Sequence, residues 1–589
     1  MILLFGGTTE GRSATKALEE SGSPFYYSTS SEGQEVEMVN GIRLSGKMDA
    51  SSIFSFCKEH DIRLLVDAAH PFAENLHKNI LVAASQLKLP VIRYERIYPE
   101  RSKDIIWCDD FDDGTIKMEK MGIGNLLVLT GVKSISKLKE FRKHHDCFFR
   151  ILDRDESKSI AMSEGVPSDH LLYYGNEDLD LVVDKNAIHA ILTKESGLSG
   201  GFTDKVDWAL SRGLQVFAIS RPTYPPEGID NTLQIMTVDG PHGLRRQVER
   251  LIPEFYPLHS GLTTGTCATA AAVAETIRQV RGIEPTSVDV VLPDGETISV
   301  DVCYGEGYAC VFKVSGDDPD VTDGIEIRAS ISDSPSYCVE GGEGVGRFTL
   351  PGFDYPPGES AINRVPRKMI LDNVSRYTSN PIRVVISVPM GEEIARRTFN
   401  PRLGIEGGIS IIGVSGIVKP YSEEAFVESI RKCMEVAKAS GSERIVLNSG
   451  GKSANYVQRL YPTLPRQAFV EYGNMIGETL KIADELCIKQ ITMGLMLGKA
   501  IKLAEGHLDT HSKKSTFNRI FIQSMIAEIG CDIDISAITL ARELWNLVPS
   551  SKLEVFCNCV KSHCSEVCKS VYHQGSPEIL LIDDEGEIH

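Results

Sequence analysis

The sequence predicts an α/β N-terminal half made of two parallel-sheet lobes, followed by an α+β C-terminal half of two subdomains. Three observations carry this. From Met1 to about residue 222, short apolar runs alternate with amphipathic helical stretches, the mark of βαβ units whose sheets are covered on both faces. The alternation stops in the Pro-rich "PHGLRRQVERLIPEFYPLHSG", and β-rich segments with a hairpin turn follow. With 589 residues, the chain also exceeds what one hydrophobic core supports, so several domains are expected.

In order, the first lobe (1–95) reads as strand "MILLFGG", helix 11–21, strand "FYYSTS", helix 50–60, strand "IRLLVDAA", helix 73–87 and strand "PVIRYE". The second lobe (96–252) holds strands "NLLVLTG", "CFFRIL", "AIHAILTKES" and "QVFAISRP" with helical stretches between them. Residues 253–258 form the linker. The remainder, 259–589, opens with the Ala-rich helix "TTGTCATAAAVAETIRQV". It continues through "SVDVVLPDGETISVDVCYGEGYACVFKV", in which "PDGE" is the turn, and returns to strand–helix alternation at "RIVLNSGG" and "KQITMGLMLGKAIKLAEG".

Acidic residues outnumber basic ones 81 to 62, a net charge of −19, which argues against nucleic acid as a partner. An anionic ligand would need local basic pockets. No apolar run approaches the roughly 18 residues of a membrane span, and with a strand starting at Met1 no export signal is seen, so a cytoplasmic protein is expected. Homo-oligomerisation is left open. The 14 cysteines then read as reduced thiols. In "CNCVKSHCSEVC", Phe556, Cys557, Val560, Cys564, Val567, Cys568 and Val571 recur at helical spacing, so this is read as a core helix, and no metal site is expected.

The chemistry starts at "FGGTTEGR". Strand, glycines and helix place the amides of Gly7 to Glu10 at a helix N-terminus, where free N–H groups favour a phosphate. The spacing departs from the dinucleotide fingerprint, because Gly6, Thr8 and Gly11 stand where three glycines are usual. The second strand ends in "YYSTSS", with Ser30 in place of the acid that would hold a ribose 2′-hydroxyl. This slightly favours NADPH over NADH. A glycine turn that merely packs helix on strand is the alternative.

"LLFGGTTEGR", "DAAHPFAENLHKN", "VIRYER", "LTGVKS" and "TKESGLSGGFTDK" closely resemble the precorrin-6A reductases over about 1–222. The resemblance implies Rossmann-like lobes and reduction of a corrin precursor by a nicotinamide cofactor. It places Gly6, Gly7, Thr8, Glu10, Gly11 and Arg12 around the pyrophosphate and "HPFA", with His70, at the cleft mouth. Hydride transfer must be matched by a proton, for which Lys194 and His70 are the titratable candidates. Gly197, Gly200 and Gly201 form a loop that could admit a phosphate or the macrocycle edge. Arg93 and Arg96 could meet substrate carboxylates or cap the sheet.

A second ordered set, "HSGLTTGTCATAAAVAE", "VFKVSGDDPDVTDGIEI", "EGGEGVGRFTLPG", "AINRVPRKMI", "TFNPRLGIEGGISIIGVSGIV" and "EGHLDTHS", is similar to the cobalt-precorrin-5B C1-methyltransferases over about 259–550. This implies S-adenosylmethionine as methyl donor and cobalt-precorrin tetrapyrroles as substrates. The whole chain would then be a bifunctional enzyme of anaerobic cobalamin synthesis, in which the methylated product of one half is the substrate of the other. Arg364 and Arg367 could bind the many carboxylates of such a ring, as could Lys368, Arg396, Arg397 and Arg402. Lys499 and His511 are further substrate candidates. Asp317, in the cluster with Asp318, Asp320 and Asp323, is the acid/base candidate. Two departures stand out: Met496 lies near an expected histidine, and Arg364 replaces a usual proline.

Two other functions fit in part. A sugar-nucleotide dehydrogenase or epimerase matches the glycine-rich start, yet it has no use for the second half and wants a Tyr-Xaa-Xaa-Xaa-Lys pair that is not found. A non-catalytic tetrapyrrole carrier shares the basic pockets but needs no nucleotide.

Overall fold

The structure, a computed structural model, describes all residues except 31–35, 176–177, 512–513 and 516–517. The chain forms two compact units. One is Met1–His259 with Asp294–Ser299; the other is Ser260–Pro293 with Val300–His589. No helix among the described residues is long and apolar enough to cross a membrane.

In the first unit the alternation of the sequence becomes two parallel sheets. The first begins with β1 (Ile2–Phe5), β2 (Phe25–Thr29), β3 (Gly41–Ser45), β4 (Leu64–Asp67) and β5 (Val91–Tyr94). The second contains β6 (Ile105–Cys108), β7 (Asn125–Val128), β8 (Asp146–Ile151), β9 (Leu171–Tyr173), β10 (Ala190–Lys194) and β11 (Gln215–Ile219), in the order β6-β11-β10-β7-β8-β9. Ile2, Leu3, Leu4, Leu64, Leu65 and Val66 are fully buried, as central parallel strands between two helical layers must be. Around the first sheet lie α1 (Thr9–Glu19), α2 (Ala50–Glu59) and α3 (Glu74–Leu87). Thr8 and Asp49 cap α1 and α2 by accepting from the Gly11 and Ser52 amides.

The chain then returns. β12 (Ile235–Val238) pairs in parallel with β5, completing the order β12-β5-β4-β1-β2-β3. The helix Pro241–Leu251 lays Leu244 and Val248 into the same core as Ala14 and Leu18 of α1. The structure differs here from the expected second lobe of 96–252, since 235–251 completes the apolar surface of the first sheet.

Each sheet has a switch point. After β1 the chain moves outward to β2 and β3 and then crosses to β4, so a crevice opens beyond the C-terminal ends of β1 and β4. The same reversal between β7 and β10 opens one in the second sheet. Ligands of open α/β sheets bind at such points.

In the second unit the Ala-rich stretch is the helix Thr264–Arg281, buried on every side from Thr264 to Ile277. It packs on a five-stranded mixed sheet in the spatial order Cys303–Gly305, Tyr308–Phe312, Glu326–Asp333, Ile382–Ser387 and Cys338–Gly341. Farther along, the strands Phe469–Glu471, Arg444–Asn448, Gln490–Met496 and Glu578–Ile582 form a wholly parallel sheet in that order. The cysteine-rich segment is the helix Ser550–Lys569. It buries Phe556, Cys557, Cys559, Val560, Cys564 and Cys568 in the core of this sheet, with Val567 and Val571 partly covered.

Candidate functional site

In the first unit the glycine turn occupies the crevice between β1 and β4. Its three glycines do three different jobs. A Cβ on Gly6 would stand 2.2 Å from the Tyr27 ring, and one on Gly11 2.8 Å from the Gly6 Cα, so both positions are closed by packing. Gly7 has φ +93°, and a Cβ there would meet nothing within 4 Å. Thr8 fills the place of the missing glycine with a hydroxyl that accepts from the Gly11 amide (2.9 Å) and donates to the Ala68 carbonyl (2.7 Å), tying the turn to the end of β4. The Gly7 amide donates to the Tyr27 hydroxyl (3.0 Å). Among the described residues no hydrogen bond occupies the amides of Thr9 and Glu10 in the first turn of α1, so they are available to an anion. Arg12 is exposed beside them, and Ser30 is exposed just past the end of β2.

Glu10 points elsewhere. Its carboxylate is buried, 3.1 Å from Arg96 Nη2, and accepts from the Ser199 hydroxyl. Arg96 donates to the Ser196 carbonyl (2.6 Å). Gly197 and Gly200 close on this arginine: a Cβ on Gly197 would stand 2.9 Å from its Cβ, and one on Gly200 2.8 Å from its Nη1. The pair clasps the turn after β1 to the loop after β10. Arg93 is corrected from a substrate contact to a strut. It is 1% exposed and donates to the Asp67 carboxylate (3.1 Å), to the carbonyls of Asp67 and Ala69, and to Glu95. Asp67 also binds His77 Nδ1 at 2.6 Å. Burial pushes the Asp67 carboxyl up, but the His77 hydrogen bond and the Arg93 charge outweigh it and hold it below the usual range.

The structure brings His70 and Lys194 together, one after β4 and the other ending β10. His70 Nδ1 accepts from the Phe72 amide (3.2 Å), which leaves the proton of the neutral ring on Nε2. Burial of the ring, then the charges of Arg96 and Lys194, pulls its pKa down to about 4, so it is neutral at pH 7. Lys194 Nζ lies 5.0 Å above the Phe72 ring and 5.5 Å above that of Phe111. Burial, followed by repulsion from Lys137 and Lys133, lowers it to about 8. These two exposed lysines, which repel the Lys194 charge, are not among the residues the sequence singles out. Their signal was the four-residue spacing within "VKSISK", which puts both on one face of a turn.

In the second unit Lys499 follows the strand Gln490–Met496. Its ammonium donates to the Gly473 carbonyl and to Asn474 Oδ1 (2.8 Å), and burial followed by Lys502 lowers it to about 8. The loop of "EGHLDTHS" meets the same turn: the Thr510 amide donates to the Asn474 carbonyl (3.1 Å), and the His511 amide donates to Asp509 (3.0 Å). Lys499 and Thr510, the residue before His511, therefore converge on 473–474. The other candidates are not gathered there. Arg367 is partly covered: it donates to the carbonyls of Ile362 and Ser360, pairs with Glu359 (3.2 Å) and stacks 4.1 Å from the Tyr355 ring. Arg364 is exposed at the start of the helix Arg364–Val374. Asp320 receives the buried Lys313 (2.7 Å) and Asp323 the Ser315 amide, while Asp317 is exposed on the turn. Met496 packs among apolar residues beside Val446, Val457 and Ile582.

Comparison with known proteins follows the same division. Residues 1–238 match the family described as Precorrin-6x reductase CbiJ/CobK, and residues 253–420 match CbiD. A cobalt-precorrin-5B C(1)-methyltransferase of Prosthecochloris aestuarii (strain DSM 271 / SK 413) is 41% identical over 345 residues, spanning 55% of this chain and 94% of that protein. The chain belongs to the cobalt-precorrin-5B C(1)-methyltransferase family. A second member, from Geobacillus kaustophilus (strain HTA426), is 44% identical over 285 residues, 46% of this chain and 77% of its own. A solved cobalamin biosynthesis protein (cbiD) from Archaeoglobus fulgidus is 30% identical, covering 46% of this chain and 85% of that one, with a TM-score of 0.26. The methyltransferase relatives match the C-terminal half and the reductase family model matches residues 1–238, in the same order as the two motif sets.

Proposed function

We propose that the protein is a bifunctional corrin-ring enzyme of anaerobic cobalamin synthesis, working in the cytoplasm on cobalt-precorrin tetrapyrroles. The C-terminal half methylates C1 of cobalt-precorrin-5B, and the N-terminal half reduces the resulting cobalt-precorrin-6A to cobalt-precorrin-6B. The observation that carries this is the presence, in one chain, of two families whose reactions are consecutive.

The first-unit crevice suits a nicotinamide dinucleotide: open first-turn amides and unfilled space above Gly7 make a pyrophosphate cradle. A bound nicotinamide supplies the hydride. Around it, Arg12 and the uncharged Ser30 tolerate a 2′-phosphate, which favours NADPH. Lys194, protonated below about pH 8, delivers the proton to the carbon next to the reduced one. Neutral His70 offers its Nε2–H to the ring or its carboxylates, while Lys133 and Lys137 attract the carboxylate rim.

S-adenosylmethionine supplies the methyl group in the second unit. Arg364 at a helix start, with Lys499 and His511, binds substrate carboxylates, and Asp317 is the acid/base candidate. Anaerobic incubation with cobalt-precorrin-5B, S-adenosylmethionine and each nicotinamide should give a methylated, reduced ring with nicotinamide oxidation, faster with NADPH. Neither methylated product nor oxidised nicotinamide would refute the reading.

A further inference from the structure

The parallel sheet of the second unit repeats, in its own connectivity, the arrangement that binds nucleotides. The strand Arg444–Asn448 runs into the turn "NSGGKS" and the helix Lys452–Leu460; the chain forms the strand Phe469–Glu471 on one side and then crosses to Gln490–Met496 on the other. A switch point therefore lies beyond Asn448 and Met496, with the glycine turn in it. Gly450 has φ +86° and Gly451 φ +58°, and a Cβ on Gly451 would meet nothing within 4 Å. Both conformations disfavour a side chain, and the space above the turn is open.

A carboxylate ends the next strand, as in sites that hold a ribose, about 20 residues beyond the glycines. Glu471 faces the turn: a Cβ on Gly450 would stand 3.3 Å from its Oε2. Its Oε1 is 2.6 Å from Arg402 Nη1, whereas no hydrogen bond is made to Oε2 among the described residues. One acceptor of a largely covered carboxylate thus remains unused. Glu471 also borders a shallow surface hollow whose walls include the rings of Phe399, Phe426 and Phe469. Carboxylate, glycine turn and exposed aromatic rings match a ribose, the chain leaving it, and a flat heteroaromatic base that stacks on them.

We infer that this edge of the sheet is the adenosyl site of the methyl donor, with Glu471 Oε2 accepting from the ribose hydroxyls, the Gly450–Gly451 turn beneath the ribose, and the adenine in the hollow. The assignment rests on the methyltransferase reading and adds the residues that hold the donor.

The test is equilibrium binding of S-adenosylhomocysteine and of 5′-methylthioadenosine to the full chain by calorimetry, with the melting temperature of each variant recorded. Glu471→Gln should weaken both ligands at least tenfold, because both carry the ribose, and leave NADPH binding unchanged. Gly450→Val should abolish binding of both. If the wild type binds S-adenosylhomocysteine and Glu471→Gln, folded, binds it equally well, the assignment is overturned and the methyltransferase reading stands. If the folded wild type binds neither adenosyl ligand, both fall.

Discussion

Two glycine turns, "FGGTTEGR" after β1 and "NSGGKS" after Arg444–Asn448, open helices at the switch points of two parallel sheets. They differ in what stands at the end of the following strand: Ser30, with Arg12 exposed near the same turn, in the first unit, and Glu471 in the second. A hydroxyl and a cation accommodate an extra phosphate, whereas a carboxylate accepts from ribose hydroxyls and repels a phosphate. In the two proposed sites the fold supplies the cradle, and one side chain at a strand end selects the nucleotide. The units differ too in their buried lysines. Lys194 is depressed mainly by burial, helped by two like charges in an aromatic cleft, whereas the Lys499 ammonium is held by a carbonyl and an amide oxygen on one turn.

The largest break in the comparison should come from Lys194→Met. Reduction should fall about 10²–10⁴-fold with methylation unaffected, as read by separate assays of nicotinamide oxidation and methylated product. In the wild type, reduction should decline as pH rises through about 8, where Lys194 loses its proton. The same group carries a stability signature. Its folded pKa lies below the unfolded value, so the folded state binds this proton more weakly and stability rises with pH between about 8 and 10.5. The substitution should remove that rise, measurable by denaturant unfolding at the two ends of the window.

A smaller effect follows from Gly11→Val. Its Cβ would stand 2.8 Å from the Gly6 Cα, so the turn must open. A displacement near 1 Å is enough to cost about 100-fold in reduction, while the second glycine turn and methylation stay intact. The smallest and most pointed is Ser30→Asp, which gives the first site the acid of the second. NADPH use should drop about tenfold relative to NADH, measured as the ratio of kcat/KM values; an unchanged ratio would place the selection elsewhere.

Much of the first unit was legible because its central strands are long apolar runs between amphipathic helices, and tertiary packing had little to override. β3, β6 and β9 were missed. All three are edge strands, so their strand character comes from the one neighbour each pairs with. The return of β12 was missed for a related reason: nothing local in "LQIMTV" says which sheet it will join. Arg93 looked like a ligand for carboxylates because a sequence shows charge and not burial.

By itself the sequence determined the two α/β lobes, the Ala-rich helix and the core cysteine-rich helix, the glycine turn and the pairing of two enzyme families in one chain. These rest on periodicity and on long ordered motifs, which are local properties. Only the tertiary structure decided that His70 and Lys194 share one cleft, that Glu10 clasps Arg96, and that Glu471 faces Gly450. Each depends on strands distant in sequence ending side by side, and parallel pairing, set by packing across the whole sheet, is what brings those ends together.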